Sequence, residues 1–323
     1  MVTKIALGSL AEHYQHEQVF LVSRVSFESR STVVAGELAK HPSCDGLAFI
    51  SSDRSAQARR SLEDFQTHFP LVELFELHRH NPIQTAATIF NALQIARQNE
   101  PGRKTLIDVS SFRREELLIL IACLRSCHLV PSDTLELIYV SAANMAPDWL
   151  TKNAVAHRSV IGFAGEIRPS LNTKLVVMMG FEVERARSII ETYEPAEVVL
   201  GMGRQNQSIN DVLFTRNKQF FDDLDRQFEG KAAQFEFSAS DPAQTVKDLS
   251  RVLAEDTAAN IILAPLNTKI STIGAGLFAL AHPNVQIVYA EMSEYNEAAY
   301  STIGDNAYII SAEELANPPA IHA

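Results

Sequence analysis

Cysteine is scarce in this sequence, and long apolar runs are missing from it. Its three cysteines, Cys44, Cys123 and Cys127, stand in apolar surroundings and are too few for a disulfide framework. No run approaches the roughly 18 apolar residues of a membrane span, and the N-terminal segment lacks the apolar stretch of a signal peptide. We therefore expect a cytoplasmic protein that works in a reducing compartment and not at a membrane.

Basic residues are also outnumbered. The chain has 28 lysines and arginines against 39 aspartates and glutamates, which gives a net charge of −11. Coating of nucleic acid without sequence preference needs a basic face that displaces counterions, so this class of function is excluded. A local basic pocket for a small anion remains open.

Several signatures of catalysis and cofactor binding are absent. The sequence contains no GxxxxGK[ST] phosphate loop, no GxSxG nucleophile elbow, no HExxH and no CxxC. The pairs His13-x-x-His16 and His78-x-His80 have no third ligand at a diagnostic spacing, so we predict no metal site. Gly201-x-Gly203 lacks the third glycine of the dinucleotide fingerprint, so we predict no nicotinamide or flavin cofactor.

The chain does contain short apolar runs that alternate with segments of helical spacing. The first series of runs is Val19–Val25, Gly46–Ile50, Leu71–Phe75, Thr105–Val109 and Leu135–Val140, with helical spacing at Ile83–Ala96 and Arg114–Cys127 between them. A second series is Lys174–Met179, Glu197–Gly201, Ala233–Phe237, Asn260–Ala264 and Val285–Ala290. Strands joined by helices require crossover connections, which predicts an α/β protein with mostly parallel, doubly wound sheets.

The two series match each other, which indicates an internal duplication. Asn81-Pro82-x-Gln84-Thr85 matches Asp241-Pro242-x-Gln244-Thr245 at an offset of 160 residues, and the tail Ser159–Gly162 matches Ser301–Gly304 at an offset of 142. Pro82 and Pro242 suit the first turn of a helix, with Asn81 and Asp241 ahead of them as caps. We predict two tandem Rossmann-like units at residues 1–145 and 174–323, with a linker or extra strand at 146–173.

Ligands of such sheets bind at the carboxyl ends of the strands, where the strand order reverses. The loops after the fourth strands carry hydroxyl or amide groups followed by a cation, a combination that suits a phosphate at a helix N-terminus. Arg204, Ser26 and Gly180 follow other strands. The candidate ligand-binding residues are thus Ser110, Ser111, Arg113, Asn267, Thr268, Lys269, Arg204, Ser26 and Gly180.

Structural explanations compete with these assignments. The hydroxyls could cap helices, Arg204 and its mate Arg54 could form salt bridges, and Glu28 and Glu182 suit the positive ends of helix dipoles. Asp108, at the end of an apolar strand beside Ser110 and Arg113, is the one weak candidate for acid/base catalysis, and the second repeat has Ala264 in its place.

The motifs IDVSSFRRE at Ile107–Glu115 and APLNTKIST at Ala264–Thr272 give the chain a family resemblance. Two tandem units, each with a hydroxyl and then a basic residue in the loop after its fourth strand, resemble the CRISPR-associated Rossmann fold (CARF) sensors and the related SAVED domains. The chain also resembles an uncharacterised group of bacterial two-domain α/β proteins. The resemblance implies recognition of a nucleotide or of a cyclic or linear oligonucleotide messenger in prokaryotic antiviral defence. The chain departs from that pattern in carrying Leu266-Asn267 where a glycine pair often precedes Thr-Lys.

Three functions are therefore expected in order of preference. The first is a sensor or regulatory subunit that binds an anionic small molecule such as a nucleotide and signals to an effector protein or to a second copy of itself. The second is an enzyme that acts on a nucleotide or phosphate ester at the same crevice between the halves. The third is a structural subunit of a larger complex.

Overall fold

The computed structural model describes residues 2–52, 54–98, 102–127, 134–208, 210–228, 232–253 and 259–312. Within them, strands and helices alternate as the apolar runs predict. The strands are β1 (Val2–Ala6), β2 (Val19–Arg24), β3 (Cys44–Ser51), β4 (Glu73–Leu77), β5 (Lys104–Asp108), β6 (Leu135–Met145), β7 (Thr151–Ser159), β8 (Asn172–Met178), β9 (Glu197–Gly203), β10 (Ala233–Phe237), β11 (Ala259–Pro265), β12 (Val285–Tyr295) and β13 (Ser301–Ser311). The helices are α1 (Leu10–His13), α2 (Val33–Leu38), α3 (Ala56–His68), α4 (Pro82–Gln98), α5 (Arg114–Cys127), α6 (Val183–Tyr193), α7 (Asp211–Gln227), α8 (Pro242–Leu253) and α9 (Lys269–Ala281).

Two compact units carry one sheet each. The described parts of Met1–Met145 and Glu297–Ala316 form the first unit, and those of Ala146–Asn296 form the second. The first sheet has the order β1-β13-β6-β5-β2-β3-β4, and the second has the order β10-β9-β8-β11-β12-β7. The five parallel strands follow the same order in both sheets, which confirms the predicted fold class of two tandem Rossmann-like units.

Each sheet is completed by an antiparallel strand from the other half of the sequence. Strand β7 follows the last parallel strand of the first sheet but pairs with β12 in the second. Strand β13 follows the last parallel strand of the second sheet but pairs with β6 in the first. The sequence analysis did not anticipate this exchange.

The register of these strands corrects one of the predicted correspondences. Thr151 lies opposite Tyr295, and Ser301 lies opposite Met145, so that Thr151 and Ser301 are structural equivalents at an offset of 150 residues. The predicted match of Ser159 with Ser301 at an offset of 142 is wrong. Ser159 is the last residue of β7, whereas Ser301 is the first residue of β13, so the two tetrapeptides do not occupy equivalent positions.

The repeated Pro-x-Gln-Thr motif begins a helix in both units, and the residue before it caps that helix in the same way. The Oδ1 atoms of Asn81 and Asp241 accept hydrogen bonds from the backbone N–H groups of Gln84 and Gln244, each at 3.0 Å. These contacts satisfy first-turn donors of α4 and α8 and confirm the predicted caps. The following threonine of each repeat donates from Oγ1 to the end of the preceding strand, with His78 O as the acceptor at 2.9 Å in the first unit.

Apolar side chains on the parallel strands form a core in each unit. In the first unit, Leu21, Ala48 and Leu106 pack with residues of α1, α2 and α3. In the second unit, Leu175, Leu200 and Ala264 pack with residues of α6 and α7. Burial on both faces explains why these strands are nearly continuous apolar runs and do not alternate with polar residues.

Candidate functional site

The loop after β5 uses its polar side chains within the first unit. Asp108 is 1% exposed, and its Oδ1 accepts hydrogen bonds from the hydroxyl and the backbone N–H of Ser110. The Ser110 hydroxyl also accepts from Val140 N at 2.9 Å. Ser111 donates from Oγ to Arg24 O. Both serines are buried and hold the loop against β2 and β6, so they do not cap α5.

Asp108 has the properties of a carboxyl group forced into the protein interior. Burial raises its pKa to about 6, against the lowering effect of its hydrogen bonds to Ser110 and of the Arg30 charge. Its Oδ2 has no hydrogen-bond partner among the described residues. The group is thus poised to change protonation near neutral pH, but it is enclosed and does not face solvent.

Beside this loop, a buried ion pair fills the carboxyl end of β2. The Nε and Nη2 atoms of Arg24 donate to the two carboxylate oxygens of Glu116, each at 3.0 Å. Arg113 approaches the same carboxylate, with Nη1 at 3.9 Å from Oε1 and its backbone N at 2.9 Å from Oε2. Burial alone would raise the pKa of Glu116, but the charges of Arg24 and Arg113 hold it below its ordinary value.

Ser26 belongs to a second polar cluster of the first unit. Its Oγ accepts from Glu28 N at 3.2 Å. The Glu28 carboxylate pairs with Arg30, whose guanidinium lies 5.9 Å from the ring centroid of Tyr139, and it accepts from Ser301 Oγ at 3.3 Å. Ser26 is 7% exposed, and its backbone O accepts a hydrogen bond from Ser31 Oγ at 3.1 Å within the same loop.

The second unit repeats this cluster with equivalent residues. Glu182 pairs with Arg185 at 3.1 Å, and Arg185 lies 5.5 Å from the ring centroid of Tyr289. Thr151, the equivalent of Ser301, donates to Glu182 Oε1 at 3.1 Å. In both units a buried glutamate therefore fixes the first residue of the exchanged strand, which explains Glu28 and Glu182 structurally.

The loop after β11 approaches the end of β8 very closely. A Cβ atom on Gly180 would lie 2.1 Å from Leu266 O, so no other residue fits there without a shift of the backbone. Asn267 donates from Nδ2 to Met179 O, as Ser111 does to Arg24 O in the first unit. The side-chain oxygen of Asn267 accepts from Thr268 N at 2.9 Å.

Thr268 is the N-cap of α9. Its Oγ1 accepts from Ser271 N at 3.1 Å and donates to Ala239 O at 2.6 Å, so the capping alternative is confirmed at this position. Lys269 is the first residue of α9 and is half-buried. The first-turn N–H groups of a helix lack intrahelical acceptors and carry a partial positive charge.

Arg204 follows β9 and forms an ion pair with a buried carboxylate. Its Nη1 and Nη2 donate to Asp248 Oδ2 and Oδ1 at 2.7 and 2.6 Å. Asp248 is 1% exposed and also accepts from Arg251 at 3.2 Å. Two arginines thus share one carboxylate, which leaves one net positive charge in this group. These contacts confirm the salt bridge that was the structural alternative for Arg204.

Arg204, Asn267 and Thr268 nevertheless meet at one small cavity, which we call the Arg204 pocket. It has a volume of about 60 Å³ and lies at the carboxyl ends of β8, β9 and β11, next to the point where the strand order reverses. Its lining residues are Phe181, Gly203, Arg204, Gln207, Ser208, Leu213, Phe214, Asn217, Ala239, Asn267 and Thr268. Lys269 is not among the lining residues, although it follows Thr268 directly.

A larger cavity, the Trp149 pocket, lies beside it in the same unit. It has a volume of about 190 Å³, and three aromatic residues and five charged residues contribute to its wall. The charged residues are Asp148, Glu182, Glu184, Arg187 and Asp223. Most of them pair within the protein, as Glu184 does with Arg187 at 3.1 Å, so this cavity offers few uncommitted charges.

Asn217, the most buried of the polar residues that line the Arg204 pocket, was not predicted from the sequence. Asn217 is 7% exposed and stands on α7 in line with the buried residues Leu213, Phe221 and Leu224. Spacings of three and four residues place these side chains on one helix face. An asparagine in an apolar stripe is the signal that was available in the sequence and was not used.

Two further features concern the part of the chain that the structure describes. That part of the chain contains no group of three or more His, Cys, Asp or Glu side chains that could hold a metal ion. None of its helices is long and apolar enough to cross a membrane.

No family model and no curated protein matches the chain. Solved structures similar to it include UDP-GlcNAc 2-epimerase from Neisseria meningitidis bound to UDP-GlcNAc, with 7% identity, a TM-score of 0.23 and 76% of each chain covered. AtPrR2 with NADP+ and (+)pinoresinol has 11% identity and a TM-score of 0.25, with 72% of this chain and 83% of that chain covered. TM-scores this low support no functional argument, and the fold class rests on the two sheets themselves.

Proposed function

We propose that the protein is a ligand-binding sensor or regulatory subunit whose ligand is a nucleotide or a cyclic-oligonucleotide-type compound bound at the Arg204 pocket. The observation that carries the proposal is the convergence of Arg204, Asn267 and Thr268. These residues come from two separate loops and were selected from the sequence as ligand contacts, and they line one cavity at the carboxyl edge of the second sheet.

The chemistry of the pocket suits an anionic ligand. Arg204 and Thr268, the N-cap of α9, both line the pocket, and Lys269 follows Thr268 in the first turn of that helix. Cations and first-turn N–H groups together are a common combination for phosphate binding. Phe181 and Phe214 add aromatic surface against which a base can pack.

The lining favours binding over turnover. Of the described residues that line the pocket, none is a carboxylate, a histidine, a cysteine or a lysine. General acid/base catalysis requires such a group within hydrogen-bond reach of the reacting atoms. Asp108, the candidate base, belongs to the first unit and is enclosed there. A sensor therefore explains the pocket better than an enzyme does.

The partner and the pathway extend the same proposal. A pocket of about 60 Å³ encloses only one end of a nucleotide, so the remainder of the ligand stays available for contacts outside it. The resemblance of the strand-four motifs to CARF and SAVED sensors supports signalling to an effector protein or a second copy of the chain, in prokaryotic antiviral defence.

Thermal-shift and calorimetric titrations with mononucleotides, dinucleotides and cyclic oligonucleotides test the proposal. We expect at least one compound to raise the melting temperature of the wild-type protein, because a ligand that binds only the folded state stabilises it. Lys269→Ala should weaken binding of that compound about tenfold, and more salt should weaken it further.

The matched control is Lys218→Ala, which removes a lysine from an exposed i,i+4 pair with Asp222 on α7 of the same unit. It should bind the compound as the wild type does. A panel without any shift, or equal losses in Lys269→Ala and Lys218→Ala, would contradict the proposal.

A further inference from the structure

Asn217 lies on the buried, otherwise apolar face of α7. Its neighbours along the buried stripe of α7 are Leu213, four residues before it, and Phe221, four residues after it. Both pack in the second unit, and Phe221 is part of its core. An amide at such a site must find hydrogen-bond partners or destabilise the fold.

The amide of Asn217 does not find them within the described protein. Its Oδ1 is buried and has no hydrogen-bond partner, and its Nδ2 reaches only Met202 Sδ at 3.7 Å. A thioether sulfur is a weak acceptor. The carbonyl oxygen of Asn217 is therefore an unsatisfied acceptor, and Asn217 is one of the residues that line the Arg204 pocket.

Gln207, another amide that lines the pocket, has a structural role. Gln207 accepts from Ala239 N at 3.1 Å through Oε1, and so connects two loops. Asn217 connects nothing of this kind. The contact of its Nδ2 with Met202 Sδ orients the amide and leaves Oδ1 as the atom without a partner.

The unsatisfied acceptor, Asn217 Oδ1, can bind only a ligand group that donates a hydrogen bond. A phosphate or carboxylate oxygen cannot satisfy it, because both groups are acceptors, whereas an N–H group can. The aromatic side chains of Phe181 and Phe214 line the same cavity, so the inserted group is best planar. An amino-substituted heterocycle and a carboxamide meet both requirements.

We propose that Asn217 is a specificity-determining contact that recognises the amino or carboxamide edge of a planar group inserted into the Arg204 pocket. This inference rests on the proposed function, since the planar group is one end of the nucleotide-type ligand. It goes further in stating which edge the ligand presents and which residue distinguishes it from the corresponding compound without an N–H group on that edge.

Matched pairs of compounds test the inference by calorimetry with the whole protein. The pairs are AMP and purine riboside 5′-monophosphate, and nicotinamide and nicotinate mononucleotide; each pair shares its ribose and phosphate, and the second member lacks the N–H donor of the amino or carboxamide group. IMP and UMP are not used as the second member, because their ring N–H groups could donate to Asn217 Oδ1 as well. We expect the amino or amide member of the pair that binds to bind about tenfold tighter or more, because a site built for a hydrogen bond rejects the analogue that cannot form it.

Asn217→Leu supplies the second measurement. It should reduce the discrimination within the pair to less than twofold and should raise the melting temperature of the unliganded protein, because an unsatisfied buried amide is replaced by an apolar group. Asn217→Ala tests the same loss of discrimination without adding volume. The control Gln219→Leu makes a similar change at an exposed site on the same helix and should leave discrimination unchanged.

The outcomes separate the two proposals. If no compound binds, the proposed function and this inference both fail. If compounds bind but the members of each pair bind equally, or Asn217→Leu retains the wild-type discrimination, Asn217 does not recognise the ligand and only the inference is overturned. A lower melting temperature in Asn217→Leu than in Gln219→Leu would indicate a structural, water-bonded amide and would likewise overturn it.

Discussion

The buried ion pair of Arg24 and Glu116 gives the sharpest prediction about the fold. In the second repeat, the register of the sheets places Met178 at the position of Arg24, and Met178 is fully buried. The duplicated architecture therefore accepts either an ion pair or an apolar side chain at this strand end. We expect Arg24→Met to be costly alone and tolerated when Glu116 is changed to leucine as well.

The size of the effect follows from the contacts. Arg24 makes two bonds to Glu116, one of 2.6 Å to Val25 O and one of 2.7 Å to Ser51 Oγ, and its exposure is 1%. Removing one member of such a pair leaves a buried charge unpaired and costs about 3–5 kcal/mol, whereas apolar replacement of both is often nearly neutral. Arg113 remains near Glu116, which places Arg24→Met near 3 kcal/mol on that scale.

Urea denaturation followed by circular dichroism measures these free energies of unfolding. The double variant Arg24→Met/Glu116→Leu should lose less stability than either single variant. The control Arg54→Met removes a surface pair with Glu76, whose atoms lie 3.6 Å apart, and should change stability by less than about 1 kcal/mol. Additive losses in the double variant would refute the reasoning, because they would mean that the two charges do not depend on each other.

Three further variants test particular contacts. Asp108→Asn should raise the free energy of unfolding at pH 7.5 by up to about 3 kcal/mol. Burial raises the pKa of Asp108 from 3.8 to about 6, so its ionised carboxylate destabilises the folded state above pH 6. The gain should fall by about half at pH 5, where the native carboxyl is already protonated, and a gain independent of pH in urea titrations would count against this pKa. Gly180→Ala should cost about 2 kcal/mol or more, because its Cβ would overlap Leu266 O; Gly8→Ala, with open space around it, is the control, and equal melting temperatures would disprove the close approach. Thr268→Ala should cost about 1 kcal/mol through loss of the α9 cap, and an unchanged midpoint in urea would contradict that role.

The parallel core of the fold could be predicted from the sequence because its signal is local. Buried parallel strands are continuous apolar runs, and Ala233–Phe237 was delimited to the residue. The exchanged strands could not be predicted in the same way. Strand β7 reads TKNAVAHRS, with few apolar residues, and its pairing partner Val285–Tyr295 lies more than a hundred residues away in the sequence.

The candidate site was predictable only in part, because capping, loop closure and ligand binding use the same side-chain atoms. Ser110 and Ser111 close their loop, and Thr268 caps a helix while it lines a pocket. Arg204 was selected as a ligand contact and forms an ion pair as well as lining that pocket. Asn217 carries an unsatisfied group but follows no motif; its place in the apolar stripe of α7 can be read from the sequence, whereas its unpaired oxygen is seen only in the folded chain.

The two repeats also differ in the side chains at the carboxyl ends of their equivalent strands β2 and β8. In the first, Arg24 and Glu116 occupy the end of β2, and the hydroxyls of the strand-four loop are buried. In the second, Met178 stands at the end of β8, and the corresponding loop borders the Arg204 pocket. This asymmetry supports a ligand site in the second repeat, which is the central claim.

Hydrogen–deuterium exchange with a bound nucleotide from the titration panel tests that claim most directly. We predict slower exchange in peptides that span residues 203–208 and 266–271 of the second unit, with no change in peptides that span 108–113 of the first. Protection at residues 108–113 with none at 203–208 and 266–271 would contradict it, and would place the ligand at the loop that the structure shows to be closed.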